Sequence, residues 1–415
     1  MLIKRNLLQE IKKYLSDKEA LIIVGARQVG KTCLLKLLMQ QIADKSPSFY
    51  FDLEDLNTLK IFNGGVEEFI LYLNSLGAPQ DKKTFVFVDE FQYMENPSNF
   101  IKLLVDHYSE RIKVIATGSS SLQIKDKFTD SMVGRKFVFT LYPLDFKEFL
   151  LFKGKEKLID ILPDEPFSPP QDIPNFFDKE LESIASKFLI TGGYPRLALE
   201  TAAEKMVTIL KEIVNTYVYK DIQGFFGEDV YKFHKVISII ASYAGGLLNV
   251  NEISSVSEIS RGISYRYLKI LEDSFIVHML PPYSTTHRQE VTKTPKIYFL
   301  DNGIRNAIIN TFTPLEIRPD KGYLLENAVL AGLLKHKKIM ENVYYWRTKS
   351  KAEVDFILKK DPQDIIPIEV KCTGKTTRPL FSFMEKYDIK KGYVVSSEAS
   401  KQQGNIRFTP FWWLL

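Results

Sequence analysis

A glycine-rich segment near the N-terminus has the spacing of a phosphate-binding loop. The residues from Gly25 to Thr32 read GARQVGKT and fit the pattern G-x-x-x-x-G-K-[ST]. An apolar run precedes them and a helical pattern follows, so backbone amides and a helix N-terminus would face the phosphates. The spacing therefore predicts that Lys31 bridges the β- and γ-phosphates of a nucleotide and that Thr32 ligates Mg²⁺.

The whole loop is expected to contact the nucleotide. Its residues are Gly25, Ala26, Arg27, Gln28, Val29, Gly30, Lys31, Thr32 and Cys33. The alternative is a glycine turn that merely happens to precede a Lys-Thr pair. No N-K-x-D or T-K-x-D sequence, which would select guanine, occurs in the chain, so ATP is favoured over GTP.

Two adjacent carboxylates follow another apolar run. TFVFV leads directly into Asp89 and Glu90, which predicts that both lie at the carboxyl edge of a buried parallel strand, where α/β sheets bind ligands. There Asp89 would hold the Mg²⁺ shell, and Glu90 would orient and deprotonate the attacking water. The alternative is an acidic pair that caps the next turn. Asp52, which ends another strand candidate, would lie at the same edge.

Further candidates lie at the ends of the next two strand candidates. In KVIATGSSS, the hydroxyls of Thr117, Ser119 and Ser120 could sense the γ-phosphate, or they could cap the strand end. Arg135 could act as an arginine finger on the transition state, within its own chain or toward a neighbouring subunit of a homo-oligomer. The alternative is an ordinary surface arginine.

A second group of charged residues lies near the C-terminus. Asp355, Glu369 and Lys371 form the pattern D-(x)n-E-x-K on two adjacent strand candidates, and Glu326 lies in the preceding helical pattern. Because side chains alternate along a strand, Glu369 and Lys371 share a face. The carboxylates could hold a divalent ion and Lys371 could stabilise phosphate charge, as in metal-dependent phosphodiester cleavage. A structural ion-pair cluster is the alternative.

The elements that would position the N-terminal residues alternate between strand and helix over the first 150 residues. The strand candidates are 20–25, 48–53, 84–90, 113–120 and 136–143. This alternation predicts an α/β fold with a parallel sheet. The near-continuous apolar runs indicate strands that are covered on both faces.

Composition shifts divide the chain into five predicted parts. They are a P-loop ATPase core (1–152), a proline-rich linker (153–177), a helical segment (178–228), a winged-helix-like domain (229–283) and a C-terminal α/β domain (284–415). In the fourth part, the third helical pattern would present Arg261, Arg266 and Lys269 to a DNA major groove. Such domains also serve as protein contacts.

The overall composition is that of a folded protein. The 415 residues are 45% hydrophobic and 26% charged. Two cysteines and five histidines argue against a cysteine- or histidine-based metal site and favour a reducing, cytoplasmic location. No apolar stretch is long enough to span a bilayer, so no membrane insertion is expected.

Basic residues are concentrated in the C-terminal third. Residues 284–415 carry 22 Lys and Arg against 14 Asp and Glu, whereas residues 1–283 carry 34 against 37. This asymmetry permits contact with DNA or RNA. A solvated lysine-rich surface is the alternative.

Several motifs together resemble those of a known family. GARQVGKT, VDEFQ and GRKFVFTLYPLDFKEF resemble the AAA-type P-loop ATPases of bacteria and archaea, and GGYPR, NGIRN, EVDF and IEVK resemble the C-terminal domain of unknown function that accompanies this ATPase. The resemblance implies an ATP-hydrolysing core, a winged-helix-like middle and a C-terminal domain similar to the restriction-endonuclease-like PD-(D/E)XK nucleases. Val354 stands where that nuclease pattern has a proline. Two functions are compatible with these motifs: an Mg-dependent ATPase coupled to nucleic-acid binding or processing, and a nucleotide-driven switch with a catalytically inactive docking domain.

Overall fold

The computed structural model describes most of the chain. The described residues are 2–118, 134–165, 167, 175–216, 230–284, 294–361, 364–373, 375–398 and 400–415. They form two compact units, one of residues 1–142 with 273–275 and one of residues 143–272 with 276–415. No helix within these ranges combines the length and hydropathy needed to cross a membrane.

A five-stranded parallel sheet forms the centre of the first unit. Its strands are β1 (Ala20–Val24), β2 (Ser48–Asp52), β3 (Thr84–Asp89), β4 (Ile112–Gly118) and β5 (Lys136–Thr140), in the order β2-β3-β4-β1-β5. Every residue of β1, β3 and β4 is buried, which explains their near-continuous apolar sequences. The five strand predictions are confirmed, with ends that differ by three residues or fewer.

Helices connect these strands, and polar caps define where several of them begin. They are α1 (Leu7–Lys12), α2 (Lys31–Ala43), α3 (Leu56–Asn63), α4 (Val66–Ser75) and α5 (Pro97–Tyr108). The Asp55 carboxylate accepts hydrogen bonds from backbone N–H groups at the start of α3, and Asn96 does the same for α5. Because all five strands run in the same direction, the loops after β1, β3 and β4 open at one edge of the sheet.

The remainder of the chain contains many short helices. They are α6 (Phe146–Phe152), α7 (Glu156–Ile159), α8 (Asn175–Thr191), α9 (Pro195–Leu199), α10 (Ala203–Ile213), α11 (Val230–Ser242), α12 (Val250–Ser257), α13 (Arg261–Asp273), α14 (Asn302–Ile308), α15 (Lys321–His336) and α16 (Arg378–Lys386). The predicted linker 153–177 is therefore not a continuous loop in its described part, because it contains α7 and the start of α8. Four of its five prolines lie outside the described residues.

Two sheets complete the second unit. A two-stranded antiparallel pair of β6 (Val277–Leu280) and β7 (Lys296–Phe299) follows α11, α12 and α13. The larger sheet contains β8 (Asn342–Arg347), β9 (Glu353–Lys359), β10 (Ile365–Val370), β11 (Gly392–Ser396), β12 (Lys401–Gln403) and β13 (Ile406–Pro410), in the order β12-β13-β11-β10-β9-β8. Strands β8, β9 and β10 are antiparallel, whereas β11 runs parallel to both β10 and β13.

The motifs GGYPR and NGIRN meet inside the second unit. The Gly193 N–H donates to the Asp301 carboxylate at 2.7 Å, and the same carboxylate caps α14 by accepting from the Ile304 N–H. A Cβ atom on Gly303 would lie only 2.1 Å from the Thr191 carbonyl oxygen. Two sequence motifs about a hundred residues apart thus form one buried contact. Glycines are required there because the two backbones approach too closely for a side chain.

Candidate functional site

The loop between β1 and α2 has the backbone conformation of an anion-binding turn. Gln28 and Gly30 both have positive φ angles, of 60° and 97°, and such left-handed positions turn successive N–H groups toward one point. Gly25 is required for a different reason, because a Cβ atom there would lie 2.2 Å from the Leu141 carbonyl oxygen. Arg5, from the segment before α1, donates to the Val29 carbonyl oxygen at 2.7 Å and so connects the loop to the N-terminal segment.

Lys31, the first residue of α2, is buried within this loop. Its ammonium group donates to the carbonyl oxygens of Gly25 and Ala26 at 3.1 and 2.9 Å. Burial lowers its pKa to about 8, although the nearby charges of Glu90 and Asp89 act in the opposite direction. The predicted lysine and the predicted acidic pair are therefore close enough for their charges to interact.

The acidic pair lies at the edge of the sheet onto which this loop opens. Asp89, the last residue of β3, is only 2% exposed. Glu90 follows it in a left-handed conformation with φ 54°, which is uncommon for a residue with a side chain and is found disproportionately at active sites. The buried Gln92 amide donates to the Glu90 carboxylate. The backbone and Gln92 together orient the Glu90 side chain.

Thr117 connects the acidic pair to the neighbouring strand. It lies on β4, which separates the loop-bearing strand β1 from β3. Its hydroxyl donates to Asp89 Oδ1 and accepts from the Glu90 N–H at 3.3 Å. Ser119 and Ser120, the other two hydroxyl candidates, lie outside the described residues.

Tyr50 is a member of the site that is not predicted from the sequence. Its hydroxyl donates to Asp89 Oδ2 at 2.9 Å from the neighbouring strand β2. Asp52 lies where the sequence predicted it, directly beside Asp89 in the register of β2 and β3. The signal that could have revealed Tyr50 is its spacing, since residues two apart on a strand face the same side and Tyr50 precedes Asp52 by two.

Arg135 does not lie near this site in its own chain. It immediately precedes β5, and its backbone carbonyl accepts from the N–H of Ala20 at the start of β1. Lys31 follows the opposite end of β1, so the two residues are separated by the length of the strand, about 16 Å at roughly 3.3 Å per residue. Arg135 instead pairs with Asp106 at 2.6 Å. The prediction of a finger within the same chain is therefore wrong, and only a role toward a neighbouring copy stays a prediction.

The C-terminal charged residues do come together. The register of β9 and β10 pairs Phe356, the neighbour of Asp355, with Ile368, the neighbour of Glu369. Asp355 Oδ2 accepts from the Val370 N–H at 2.8 Å and lies 3.4 Å from the Lys371 ammonium. Glu326 on α15 is close enough that the Asp355 charge raises its pKa, in addition to the larger effect of burial.

A second lysine, not identified from the sequence, completes this cluster. Lys296 at the start of β7 is buried and pairs with Glu326 at 3.1 Å and with Glu353 at 2.6 Å. Burial opposes its charge, but the two carboxylates outweigh that effect and raise its pKa. Nothing in the local sequence indicates this role, because Lys296 and its partners are distant along the chain.

The buried Glu369 carboxylate is satisfied at only one oxygen. Its Oε1 accepts from the Thr377 hydroxyl, whereas Oε2 has no hydrogen-bond partner among the residues that the structure describes. Burial raises the pKa of this carboxyl group. Nevertheless, no group of three or more His, Cys, Asp or Glu side chains in the described part of the chain has the geometry to hold a metal ion. Two carboxylates of this cluster are instead paired with lysines, Glu326 with Lys296 and Asp355 with Lys371.

The helix predicted to contact DNA exposes its basic residues. Arg261, Arg266 and Lys269 on α13 are all exposed. Tyr265 is 60% exposed and lies four residues from both Arg261 and Lys269, so these three side chains share one helical face. This face combines positive charge with an aromatic ring.

Comparison with known families now identifies the class of the first unit. Residues 17–150 match the family described as "AAA domain", and the chain accordingly carries an AAA-type P-loop ATPase-like domain. Residues 183–315 and 321–414 match two further families, each described as a domain of unknown function (DUF8612 and DUF4143). The motifs GGYPR and NGIRN thus fall in one family match and EVDF and IEVK in another, whereas the sequence analysis attributed them to a single domain.

Similar proteins occur in distant organisms. An uncharacterized protein of Methanocaldococcus jannaschii is 26% identical over 97% of this chain and 86% of its own length. An uncharacterized protein of Haemophilus influenzae is 24% identical over 89% of this chain and 86% of its own length. Among solved structures, the Thermotoga maritima RuvB Holliday junction branch migration motor aligns with 67% of this chain and 90% of its own, at 14% identity and a TM-score of 0.33.

Proposed function

We propose that this protein is an Mg-dependent ATPase. The observation that carries the proposal is that a phosphate-binding loop with its lysine and an acidic pair lie at the same edge of the sheet. Thr117, on the strand between them, forms hydrogen bonds to the acidic pair. An AAA-type domain match over the same residues supports it. A loop without a positioned carboxylate pair would bind nucleotide without activating water.

Each residue of the site then has a separate task. The N–H groups of the loop and the N-terminus of α2 bind the phosphates. The Lys31 ammonium exchanges its hydrogen bonds to two carbonyl oxygens for contacts to the β- and γ-phosphates, whose charge it neutralises. Glu90 accepts the proton of the attacking water, and Gln92 holds its carboxylate in place. The Glu90 and Asp89 carboxylates have different partners, Gln92 for Glu90 and Tyr50 with Thr117 for Asp89, so that the two can serve different functions.

The donor set at this site fits a magnesium ion. The Asp89 carboxylate and the Thr32 hydroxyl are hard oxygen ligands, which Mg²⁺ prefers together with water and phosphate oxygens. When bound, the ion would neutralise charge on the transferring phosphoryl group. Asp89 and Thr32 would hold it, and Tyr50 and Thr117 would orient the Asp89 carboxylate.

Two substitutions test ATP hydrolysis. Lys31→Ala is expected to abolish turnover because the phosphate charge loses its cation, and Glu90→Gln is expected to bind ATP normally but to slow hydrolysis by about 100-fold or more because an amide cannot accept the proton. Steady-state phosphate release and calorimetric ATP binding provide the two measurements. The exposed residues Lys60 and Glu95 supply matched controls, Lys60→Ala and Glu95→Gln. Equal turnover in Glu90→Gln and wild type would refute the assigned base.

We further propose that ATP hydrolysis is coupled to nucleic-acid binding. The excess of basic residues after position 283 and the exposed face of Arg261, Tyr265 and Lys269 support this proposal. A turn between β8 and β9 adds the exposed Lys349 and Lys351. Cations of this kind bind the phosphate backbone, and an exposed aromatic ring can stack on a base.

The geometry of the C-terminal cluster favours binding over cleavage. Antiparallel β8, β9 and β10 followed by α16 and parallel β11 support a nuclease-like fold. However, Lys371 pairs with Asp355 and Lys296 pairs with Glu326. Two lysines of the chain therefore take the place beside these carboxylates that metal ions would need for cleavage. We therefore propose a docking domain, with phosphodiester cleavage as the competing function.

A further inference from the structure

We propose that Tyr50 is a positioning residue for Asp89, which it holds in the orientation that serves the metal-nucleotide complex. This inference rests on the ATPase function proposed above and adds a residue that neither the loop motif nor the acidic motif contains. Tyr50 lies on β2, which carries none of the residues of either motif.

Two hydroxyl groups fix the Asp89 carboxylate from opposite sides. Tyr50 on β2 donates to Oδ2 at 2.9 Å, and Thr117 on β4 donates to Oδ1. Because β3 lies between β2 and β4, the two donors approach from the two neighbouring strands. Rotation of the carboxylate would break both hydrogen bonds, so its plane is determined by the sheet itself.

The Tyr50 side chain is itself held in place. The Lys36 ammonium lies 5.4 Å from the centre of the Tyr50 ring, a distance typical of a cation–π contact, and Lys36 belongs to α2, the helix that begins at the loop lysine. Tyr50 therefore contacts both the acidic strand and the helix behind the phosphate loop.

A purely structural role would predict a different result from a positioning role. If the hydroxyl only satisfied a buried carboxylate, its loss would lower stability without affecting the dependence on magnesium. If it orients Asp89 for the metal, its loss must raise the Mg²⁺ concentration that is required. Groups that hold a metal ligand in place typically change affinity by about 10- to 100-fold when removed.

The test compares Tyr50→Phe with Tyr108→Phe. Tyr108 is a matched control because its hydroxyl also donates to a carboxylate, that of Glu67 at 3.0 Å, but it ends α5 and precedes the start of β4, at the sheet edge opposite Asp89. We expect Tyr50→Phe to raise the half-saturating Mg²⁺ concentration for nucleotide binding and for ATP hydrolysis by about tenfold or more. Nucleotide affinity in EDTA, measured by calorimetry, should not change, and Tyr108→Phe should match wild type throughout.

A double-mutant cycle with Asp89→Asn separates a direct effect from one that acts through the carboxylate. In the Asp89→Asn background, Tyr50→Phe should change the Mg²⁺-dependent nucleotide affinity by less than about twofold, because no carboxylate remains to be oriented. A magnesium curve for Tyr50→Phe that coincides with wild type would overturn the inference. A wild-type protein that binds nucleotide with Mg²⁺ but never hydrolyses it would instead overturn the ATPase proposal, while the binding measurements would still test Tyr50.

Discussion

At the scale of single residues, Lys31 shows how burial prepares a group for its ligand. In the buried state that the structure shows, the phosphate loop encloses its ammonium beside two backbone carbonyl oxygens, and this burial lowers its pKa to about 8. The charged form is therefore less stabilised in this state than it would be in solvent. A triphosphate supplies the missing negative charge, so binding and protonation of Lys31 must favour each other.

This linkage predicts a pH dependence of nucleotide binding. Above about pH 8 the nucleotide-free protein loses the Lys31 proton, whereas the complex keeps it, so nucleotide affinity should fall by up to about tenfold per pH unit with uptake of a proton. The sign for folding is opposite: because the pKa is lower in the folded chain, the contribution of Lys31 to the free energy of unfolding rises from about pH 8 to the ordinary lysine pKa of 10.5.

Calorimetry at about pH 9 in two buffers of different ionisation enthalpy measures this uptake. Lys31→Arg is the matched variant, because a guanidinium stays charged over the whole range. We expect its nucleotide binding to take up no proton. Equal proton uptake by wild type and Lys31→Arg would assign the titration to another group.

At the scale of elements, close backbone contacts determine where segments meet. Gly193 lies in the motif GGYPR and Gly303 lies in the motif NGIRN. A Cβ atom on Gly193 would be 2.3 Å from the Leu144 carbonyl oxygen, and a Cβ atom on Gly303 would be 2.1 Å from the Thr191 carbonyl oxygen. Asp301 then links the two segments through hydrogen bonds to Gly193 and Ile304. The motifs therefore have a structural role in the second unit.

Substitution of Gly303 should measure the cost of this contact. Gly303→Ala places a methyl group against a backbone oxygen that cannot move independently of α8, and we expect it to lower the free energy of unfolding by about 1 to 3 kcal/mol. Gly262→Ala on α13 is the matched control, since the nearest atom to its Cβ would be 3.8 Å away. It should be neutral or stabilising by about 0.5 to 1 kcal/mol. Urea denaturation of both variants measures the difference, and equal midpoints would contradict the contact.

At the scale of the whole molecule, the two groups of carboxylates illustrate different solutions to buried charge. In the first unit, hydroxyl donors and a lysine inside the phosphate loop surround Asp89 and Glu90. In the second unit, Lys296 and Lys371 pair directly with Glu326 and Asp355. Under the proposed function, a nucleotide and a metal ion add the missing charges at the first group, whereas two carboxylates of the second group are paired with lysines of the chain itself.

Nucleic-acid binding should therefore depend on surface cations and not on the buried cluster. Charge reversal at Lys349 and Lys351, or at Arg261 and Lys269, is expected to weaken DNA binding and to reduce the slope of log affinity against log salt by about 1 per lost phosphate contact. Fluorescence anisotropy over a range of salt concentrations measures both effects. Lys45→Glu combined with Lys60→Glu, in the first unit, is a control with the same change in net charge.

The DNA used in these binding measurements also distinguishes a docking domain from a nuclease. A docking domain leaves the DNA intact with Mg²⁺ or Mn²⁺ present, and Asp355→Ala binds it with unchanged salt dependence. Cutting that disappears in Asp355→Ala would instead establish the nuclease alternative. Affinity without any salt dependence would refute phosphate contact in either case.

The phosphate-binding loop, the acidic pair and the strands that carry them can all be predicted from the sequence. This is possible because each is local: a glycine pattern requires a particular backbone turn, and an apolar run that ends in two acids predicts a buried strand with carboxylates at its edge. Three features could be seen only in the folded chain: Tyr50 as a partner of Asp89, Lys296 as a partner of Glu326, and the location of Arg135 at the opposite edge of the sheet. Each of these depends on strand order and on which ends of the elements meet, and those relationships arise from packing between segments that are distant along the chain.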